Sequence, residues 1–250
     1  MKNFIFLTFS LLFTGCVGNF SQLTQEPPIE PNLSASEYFE RAQKAFEAGD
    51  AKSLMVNARQ ACAMGHKKAC FNLGYFLEAN SDFVASKCYY KKGCELGDMS
   101  SCNNLANYLF KGVAGEKDTA LARNLYERAC EANRAPACTS FGMVLKDMPK
   151  ERSTAIKTFE KACALGDKDG CHNAGTAYLQ GANVKKDTQK AKSHLEKACT
   201  TGQFQSCANL GIAYQSGEFA LPKDPAAAMK FFKIGCELGD AKSCENLKAK

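Results

Sequence analysis

Apolar residues recur along the chain in a helical rhythm that repeats about every 35 residues. Counted from a recurring cysteine, apolar side chains stand three and seven positions further on, with a small residue four positions on. Apolar positions at this spacing form one stripe along a helix, and a small residue within the stripe lets a neighbouring helix approach closely. The apolar pairs are Leu73/Leu77, Leu105/Leu109, Phe141/Leu145, Ala174/Tyr178 and Leu210/Tyr214. The pattern predicts a series of packed helices.

Twelve of the 14 cysteines form six pairs whose members are eight positions apart. The pairs are Cys62 and Cys70, Cys94 and Cys102, Cys130 and Cys138, Cys163 and Cys171, Cys199 and Cys207, and Cys236 and Cys244. Successive first cysteines are separated by 32, 36, 33, 36 and 37 residues, a period that predicts an all-α solenoid of helical pairs. We expect about thirteen helices and no strand. A first helical pair is expected at Ala35 to Ala48 and Lys52 to Ala63, and a lone last helix at about Lys242 to Lys248.

The spacing of the cysteines also constrains the path of the chain. In one continuous helix, cysteines eight positions apart would be ~12 Å apart, whereas a disulfide needs Cα atoms within ~4.4–6.8 Å. If the cysteines pair, the chain must turn between them. The third residue after each first cysteine suits such a turn, because Gly and Asn tolerate the left-handed conformation that ends a helix. These residues are Gly65, Gly97, Asn133, Gly166, Gly202 and Gly239.

We therefore predict six disulfides between cysteines eight positions apart, each joining the end of one helix to the start of the next. A competing register would join Cys70 to Cys94 and so on along the chain. It would leave Cys62 and Cys244 without partners. Cys88 stands outside the pairs, and its alternatives are a spare thiol or an intermolecular disulfide.

Composition excludes several classes of protein. The chain has 250 residues, of which 45% are hydrophobic and 23% are charged, so wholesale disorder is excluded. The net charge is +6 without a run of five or six like charges, so no nucleic-acid partner is indicated. Reduced cytosolic proteins rarely carry 14 cysteines without metal sites, which favours an oxidising compartment.

The N-terminus has the pattern of an export signal. Lys2 precedes a ten-residue apolar run, Phe4 to Phe13, which is too short for a spanning helix of ~20 residues. The following Gly15-Cys16 step resembles a bacterial lipobox. We expect a signal peptide over residues 1–15, a lipid on Cys16 as the membrane contact, and a proline-containing tether over residues 16–33. The solenoid is expected over residues 34–250. The expected location is the periplasm or the outer membrane, as a lipoprotein, with the cell surface or secretion as alternatives.

Short runs within the repeats resemble a known family. The run CANLGIAY at residues 207–214, the run EKAC at 196–199 and the loop VKKD at 184–187 resemble the Sel-one-like repeat, a relative of the tetratricopeptide repeat (TPR). With a cysteine pair in every repeat and an export signal, residues 34–250 resemble the Helicobacter cysteine-rich protein family. This resemblance implies a disulfide-held solenoid that serves as a protein-interaction scaffold. For some members it also implies penicillin binding with weak β-lactamase activity.

The sequence lacks the residues that such hydrolysis would need. The strings Ser-x-x-Lys, Ser-Asp-Asn and Lys-Thr-Gly of serine β-lactamases do not occur. The three histidines, His66, His172 and His194, are isolated from one another and have no zinc-ligand spacing, so we read them as surface or packing residues. We therefore predict no catalytic residue, no metal and no cofactor, and any β-lactamase activity would need an unrecognised site.

One polar column recurs within the predicted helices, at the second position after each second cysteine. It consists of Asn72, Asn104, Ser140, Asn173, Asn209 and Asn246, which we call the asparagine column. Asn is a poor helix former, so its recurrence needs a reason. In related repeats this position faces the concave groove, where amides can hold a peptide backbone. The alternative is that the amides fasten adjacent repeats together. Asn72, Asn104, Asn173 and Asn209 are the candidate ligand-binding residues.

The predicted function is an exported, lipid-anchored and disulfide-stapled scaffold that binds a protein or peptide on its concave face. The disulfides would pre-organise the binding face and reduce the entropy lost on binding. The alternative is a β-lactam or peptidoglycan-like ligand, with weak β-lactamase activity.

Overall fold

The computed structural model describes residues 30, 32–181, 184–218 and 221–248. These residues form thirteen α-helices and no strand, which confirms the predicted all-α solenoid of helical pairs. The helices are α1 Ala35–Glu47, α2 Ala51–Ala63, α3 Lys67–Ala79, α4 Phe83–Glu95, α5 Met99–Lys111, α6 Thr119–Glu131, α7 Ala135–Lys146, α8 Arg152–Ala164, α9 Lys168–Gln180, α10 Thr188–Thr200, α11 Phe204–Ser216, α12 Pro225–Glu237 and α13 Ala241–Lys248.

The helices fall into two compact units, with the boundary between Asp118 and Thr119. The first unit holds α1 to α5 and the second holds α6 to α13. Within each unit, consecutive helices pack side by side, and helices one repeat apart also touch, as α3 does with α5 and α7 with α9. The expected signal peptide and Cys16 lie outside the described residues, so both stay predictions. At the end of the expected tether, Arg41 of α1 pairs with Glu30 at 2.8 Å.

The chain turns sharply between the paired cysteines. In the Cys94 turn, the N–H of Asp98 donates to the carbonyl of Gly93 at 2.8 Å, which closes the end of α4. Asp98 then caps α5, because its Oδ1 accepts a hydrogen bond from the N–H of Ser101 at 2.6 Å. The third residue after each first cysteine has positive φ, as predicted, with values of 90° at Gly65, 81° at Gly97, 61° at Asn133, 93° at Gly166, 96° at Gly202 and 92° at Gly239. The short turn thus ends one helix and starts the next.

All six predicted disulfides are present, so the prediction of one disulfide in each repeat is confirmed. The paired Cα atoms are only 4.4 to 4.8 Å apart. Because each of these six bonds joins cysteines eight positions apart, the competing register is wrong. Cys62 bonds to Cys70, Cys94 to Cys102, Cys130 to Cys138, Cys163 to Cys171, Cys199 to Cys207, and Cys236 to Cys244.

The second cysteine of each disulfide lies in the first turn of the following helix, and most of these side chains are almost completely shielded from solvent. The shielded ones are Cys70, Cys102, Cys138, Cys171 and Cys207, none of them more than 1% exposed. The first cysteines of the same pairs are buried as well. These five disulfides therefore hold the core together and offer no surface to a ligand.

The residues just before the two cysteines of each pair are buried and small. They are Ala61/Ala69, Gly93/Ser101, Ala129/Ala137, Ala162/Gly170, Ala198/Ser206 and Gly235/Ser243. A Cβ on Gly170 would lie 2.5 Å from the Cβ of Ala162. The helix crossing beside each disulfide has no room for larger side chains.

The small residue within the apolar stripe receives a large side chain from the following helix. A Cβ on Gly74 would lie 2.8 Å from the ring of Tyr90, and one on Gly211 would lie 2.5 Å from the ring of Phe232. The predicted close approach of the helices at this position is therefore confirmed. Gly142 and Gly175 have the same relation to Phe159 and Leu195, at 2.5 and 2.7 Å.

We predict that Gly211→Ala destabilises the protein, because its new methyl group must displace the buried ring of Phe232. Overpacking costs ~1–3 kcal/mol, and only ~1 kcal/mol of it is offset by the better helix propensity of Ala. We expect a net loss of up to about 2 kcal/mol in guanidinium unfolding with the disulfides intact. Gln205→Ala, at an exposed position of the same helix, is the matched control. Equal stability of the two variants would show that the ring contact does not limit this position.

Candidate ligand-binding face

The asparagine column lies on the odd-numbered helices α3 to α13. Asn72 is exposed, whereas Asn104, Asn173 and Asn209 are half-buried. From α5 to α11, the side chains of the asparagine column form two groups: those that contact a hydroxyl on the preceding helix and those that do not. The group depends on the residue four positions before the first cysteine, on the preceding even-numbered helix.

Asn104 fastens helices together in the first unit. Its amide lies near the hydroxyl of Tyr90 and lowers the pKa of that group, and the hydroxyl itself donates to Oε2 of Glu78 at 2.6 Å. Tyr90 is fully buried. Burial and the adjacent Glu78 raise the pKa of Tyr90, so its hydroxyl stays protonated and remains a donor. These polar contacts connect α3, α4 and α5, and they engage the amide that would otherwise be open to a ligand.

Ser140 has the same role at the start of the second unit. It forms a hydrogen bond with the hydroxyl of Tyr126, on the preceding helix α6. Burial raises the pKa of Tyr126 to about 12, and the bond with Ser140 opposes that rise. Tyr126 occupies the position equivalent to Tyr90. Where this position is Tyr, the asparagine column therefore joins adjacent helices.

Asn173 and Asn209 belong to the other group. The equivalent positions on α8 and α10 hold Phe159 and Leu195, which have no hydroxyl. Within the described residues, neither amide has a hydrogen-bond partner. Both amides are partly exposed and can therefore bind a ligand.

Other side chains link consecutive repeats in the second unit. The ammonium of Lys161 donates to the carbonyl of Cys130, and that of Lys197 donates to the carbonyl of Cys163, both at 2.7 Å. These cations lie at helix C-termini, whose partial negative charge favours a cation. One position before the asparagine column, Nδ1 of His172 lies 2.7 Å from Oγ of Ser206. The open amides are therefore not needed to join the repeats.

Exposed apolar side chains stand three positions after the asparagine column, on the same helix face. Met143 of α7 is 38% exposed and Ile212 of α11 is 43% exposed. Together with Asn173 and Asn209 they define what we call the amide face of the second unit. It combines donors and acceptors with apolar contacts, as a surface for a peptide needs.

A polar cluster on α8 to α10 was missed by the sequence analysis. The hydroxyl of Tyr178 donates to Oε1 of Glu160 at 2.8 Å and accepts from the ammonium of Lys190 at 3.3 Å. Nε2 of His194 lies 3.8 Å from the same carboxylate oxygen. Burial lowers the pKa of His194 despite this carboxylate. The cluster contains no nucleophile paired with a base, and it links three helices.

Three further features are the state of Cys88, groups that could hold a metal ion and helices that could span a membrane. Cys88 is not a free thiol, so the prediction of a spare thiol there is wrong. Among the described residues, no group of three or more His, Cys, Asp or Glu side chains could hold a metal. No helix in the described part of the chain is long and apolar enough to cross a membrane.

A model of the Sel1 repeat matches five segments of the chain, at residues 67–98, 100–133, 140–167, 168–202 and 205–240. These segments cover more than half of the chain, and each includes at least half of an odd-numbered helix and the whole even-numbered helix that follows it. The chain belongs to the Sel1 repeat family. Repeats of this kind form protein-binding scaffolds, and the prediction of a repeat scaffold for a protein partner is confirmed at this level.

Similar proteins agree with this Sel1 repeat assignment. Cytochrome c oxidase assembly factor 7 of Xenopus tropicalis is 33% identical over 172 residues, which cover 63% of this chain and 73% of that protein. A Sel1 repeat protein from Oxalobacter formigenes has a TM-score of 0.71 at 21% identity, over 84% of this chain and 86% of its own. A protective antigen present in uropathogenic Escherichia coli strains, with an SLR fold, has a TM-score of 0.74 at 25% identity, over 86% of this chain and 51% of its own.

The localisation predicted from the N-terminus is wrong. The chain is similar to a cytochrome c oxidase assembly factor of Xenopus, an animal, whose cells have no periplasm and no bacterial lipoproteins. The prediction of a periplasmic, outer-membrane, cell-surface or secreted protein rested on the first sixteen residues, with the 14 cysteines as support for an oxidising compartment. A basic residue, a short apolar run and a Gly-Cys step form too short a pattern to outweigh a relative matched across most of the repeats.

We predict opposite effects for the same substitution at two positions of the asparagine column. Asn104→Ala removes the polar contact with the buried Tyr90 and should cost about 1 kcal/mol of unfolding free energy. Asn173→Ala removes no such contact and should be neutral or stabilising by a few tenths of a kcal/mol, since Ala is the better helix former. Chemical unfolding of both variants measures the difference. Equal effects at the two positions would contradict the assignment of separate roles.

We also predict that unfolding free energy falls as the pH drops from 7.5 to 5.5. Burial lowers the pKa of His172 below its ordinary value, and the carboxylate of Asp169 only partly opposes this. The unfolded chain then binds protons that the folded chain does not, so stability is lost as pH falls below the unfolded pKa of ~6.5. His172→Gln should reduce the fall in guanidinium midpoint between these pH values. An unchanged pH dependence would exclude His172 as a source.

Proposed function

We propose that the protein is a disulfide-stapled Sel1 repeat scaffold that binds an extended segment of a partner protein on the amide face of the second unit. The observation that carries the proposal is the pair of open amides at Asn173 and Asn209, in equivalent positions of consecutive repeats. An amide side chain both donates and accepts, so it can bond the N–H and C=O groups of a peptide backbone. The neighbouring Met143 and Ile212 would contact the peptide's apolar side chains.

The disulfides contribute rigidity to this binding mode. The bond from Cys163 to Cys171 fixes the crossing of α8 and α9, and the bond from Cys199 to Cys207 fixes that of α10 and α11. Each of these disulfides ends two positions before an amide, so α9 and α11 are fixed close to Asn173 and Asn209. A face that is already ordered loses less conformational entropy when a ligand binds. The rigid scaffold would position the bound segment, and the side chains of that segment would determine the binding affinity.

The similarity to a cytochrome c oxidase assembly factor supports a partner that is itself a protein undergoing assembly. The narrower resemblance to the Helicobacter cysteine-rich proteins, with β-lactam binding and weak hydrolysis, stays a hypothesis, and no contact in the described residues favours it. Turnover of a chromogenic lactam by the purified protein, above that of a heat-denatured sample, would support this alternative.

The amide face can be tested with one added hydroxyl. Phe159→Tyr would give Asn173 the partner that Tyr90 gives Asn104, so it should close this amide without a large change in volume. We expect a partner identified by cross-linking to bind Phe159→Tyr and Asn173→Ala/Asn209→Ala about tenfold more weakly, with unchanged or raised melting temperatures. Titration calorimetry with the purified partner measures this.

The matched control is Lys157→Ala/Ser193→Ala, at exposed positions of the even-numbered helices α8 and α10. We expect this variant to bind like the parent protein. Unchanged affinity in the Asn173→Ala/Asn209→Ala variant would refute the amide face as the binding site. A loss of affinity that merely follows unfolding would refute it equally.

A further inference from the structure

An apolar groove in the first unit lies between α1 and α3, over α2. Its volume is about 410 Å³, within the ~300–1,000 Å³ of sites that bury small ligands. Phe39 and Phe46 of α1 and Tyr75 and Phe76 of α3 form its walls, and Asn72 of the asparagine column also lines it. The groove is therefore separate from the amide face.

Two of the wall side chains are largely exposed although they are aromatic. Phe46 is 69% exposed and Tyr75 is 62% exposed. The ring of Tyr75 is stacked near that of Phe71, with centroids 6.5 Å apart, so its position is supported from behind. Aromatic side chains that are held in place and left open are the anchors on which interfaces depend.

One end of the groove is electronegative. Of the described residues that line it, Glu47 alone carries a formal charge. Glu47 and Ala79 lie in the last turns of α1 and α3, so two helix C-termini with their partial negative charges meet at this end. This arrangement favours a cationic group at that end and apolar groups along the walls. The amides of Gln43 and Asn72 lie between the walls, where they can bond a peptide backbone.

We infer that this groove binds a segment of a partner protein that carries two large apolar side chains next to a Lys or Arg. The apolar side chains pack between Phe46 and Tyr75, and the basic side chain pairs with Glu47. The inference rests on the proposed function, because it assigns a second contact of the same scaffold to its partner. It also defines the chemistry that the partner segment must have.

The test is a displayed library of random twelve-residue peptides selected on the full chain. We expect enrichment of sequences with two large apolar residues beside a basic one. Selection on Glu47→Lys should shift that basic preference to an acidic one, because the charge at the groove end is reversed. Enriched peptides should bind Phe46→Ser/Tyr75→Ser about tenfold more weakly than the parent, as expected for loss of two anchors.

Val84→Ser is the matched control, since Val84 of α4 is 64% exposed and does not line the groove. It should leave peptide affinity unchanged, and all variants should melt like the parent because the altered side chains are exposed. Peptides that bind Phe46→Ser/Tyr75→Ser as well as the parent would overturn the inference. A basic preference that persists on Glu47→Lys would also overturn it.

Other occupants of the groove give distinct results. A dimer in light scattering that Phe46→Ser/Tyr75→Ser abolishes would identify a second copy and overturn the inference. Peptides that bind about tenfold more tightly to a chain without residues 1–29 would identify the chain's own N-terminal segment and overturn it equally. Selected peptides that lose affinity only in Asn173→Ala/Asn209→Ala would overturn this groove while supporting the amide face.

Discussion

The rest of the structure depends on the disulfide-closed turn between consecutive helices. Its paired Cα atoms lie 4.4 to 4.8 Å apart, closer than the ~8–10 Å that separates the axes of packed helices. This distance requires small residues beside the cysteines, a left-handed residue between them and a new helix directly after it. Because each loop closes only about nine residues, its stabilisation is roughly 2–3 kcal/mol in a disputed chain-entropy model and is confined to one turn.

The disulfides fix the crossing of each even-numbered helix with the following odd-numbered one, whereas the side-chain contacts at these crossings differ from one repeat to the next. The asparagine column shows the consequence. With Tyr90 on the preceding helix, Asn104 becomes part of a buried polar chain. With Phe159 there instead, Asn173 keeps its hydrogen-bonding groups available. A single hydroxyl thus decides whether the residue at this position is engaged by the preceding helix or keeps its amide available.

The fold could be predicted from the sequence because its signals are periodic spacings and steric constraints. Cysteines eight positions apart, with Gly or Asn three positions after the first, leave few paths for the chain, and the structure follows the predicted one. The sequence could not decide whether the asparagine column joins helices or stays open to a ligand. That distinction depends on a contact between two helices, and the positions that face each other were unknown from the sequence. Pairing Tyr90 with Asn104, and Tyr126 with Ser140, could have revealed the link. The groove was missed because α1 and α2 carry no cysteine before Cys62 and were outside the repeat alignment.

Both candidate surfaces lie where one core position departs from the residue type found in other repeats. At the start of the array, Ala58 occupies the position where later repeats have an aromatic or Leu residue. Its small side chain lines the groove and leaves space between α1 and α3. In the second unit, Phe159 and Leu195 fill the core but offer no hydroxyl to the next helix. Both changes leave the disulfide turns untouched. A repeat scaffold can therefore acquire binding sites through core substitutions one helix away from the ligand, while its helix crossings stay fixed.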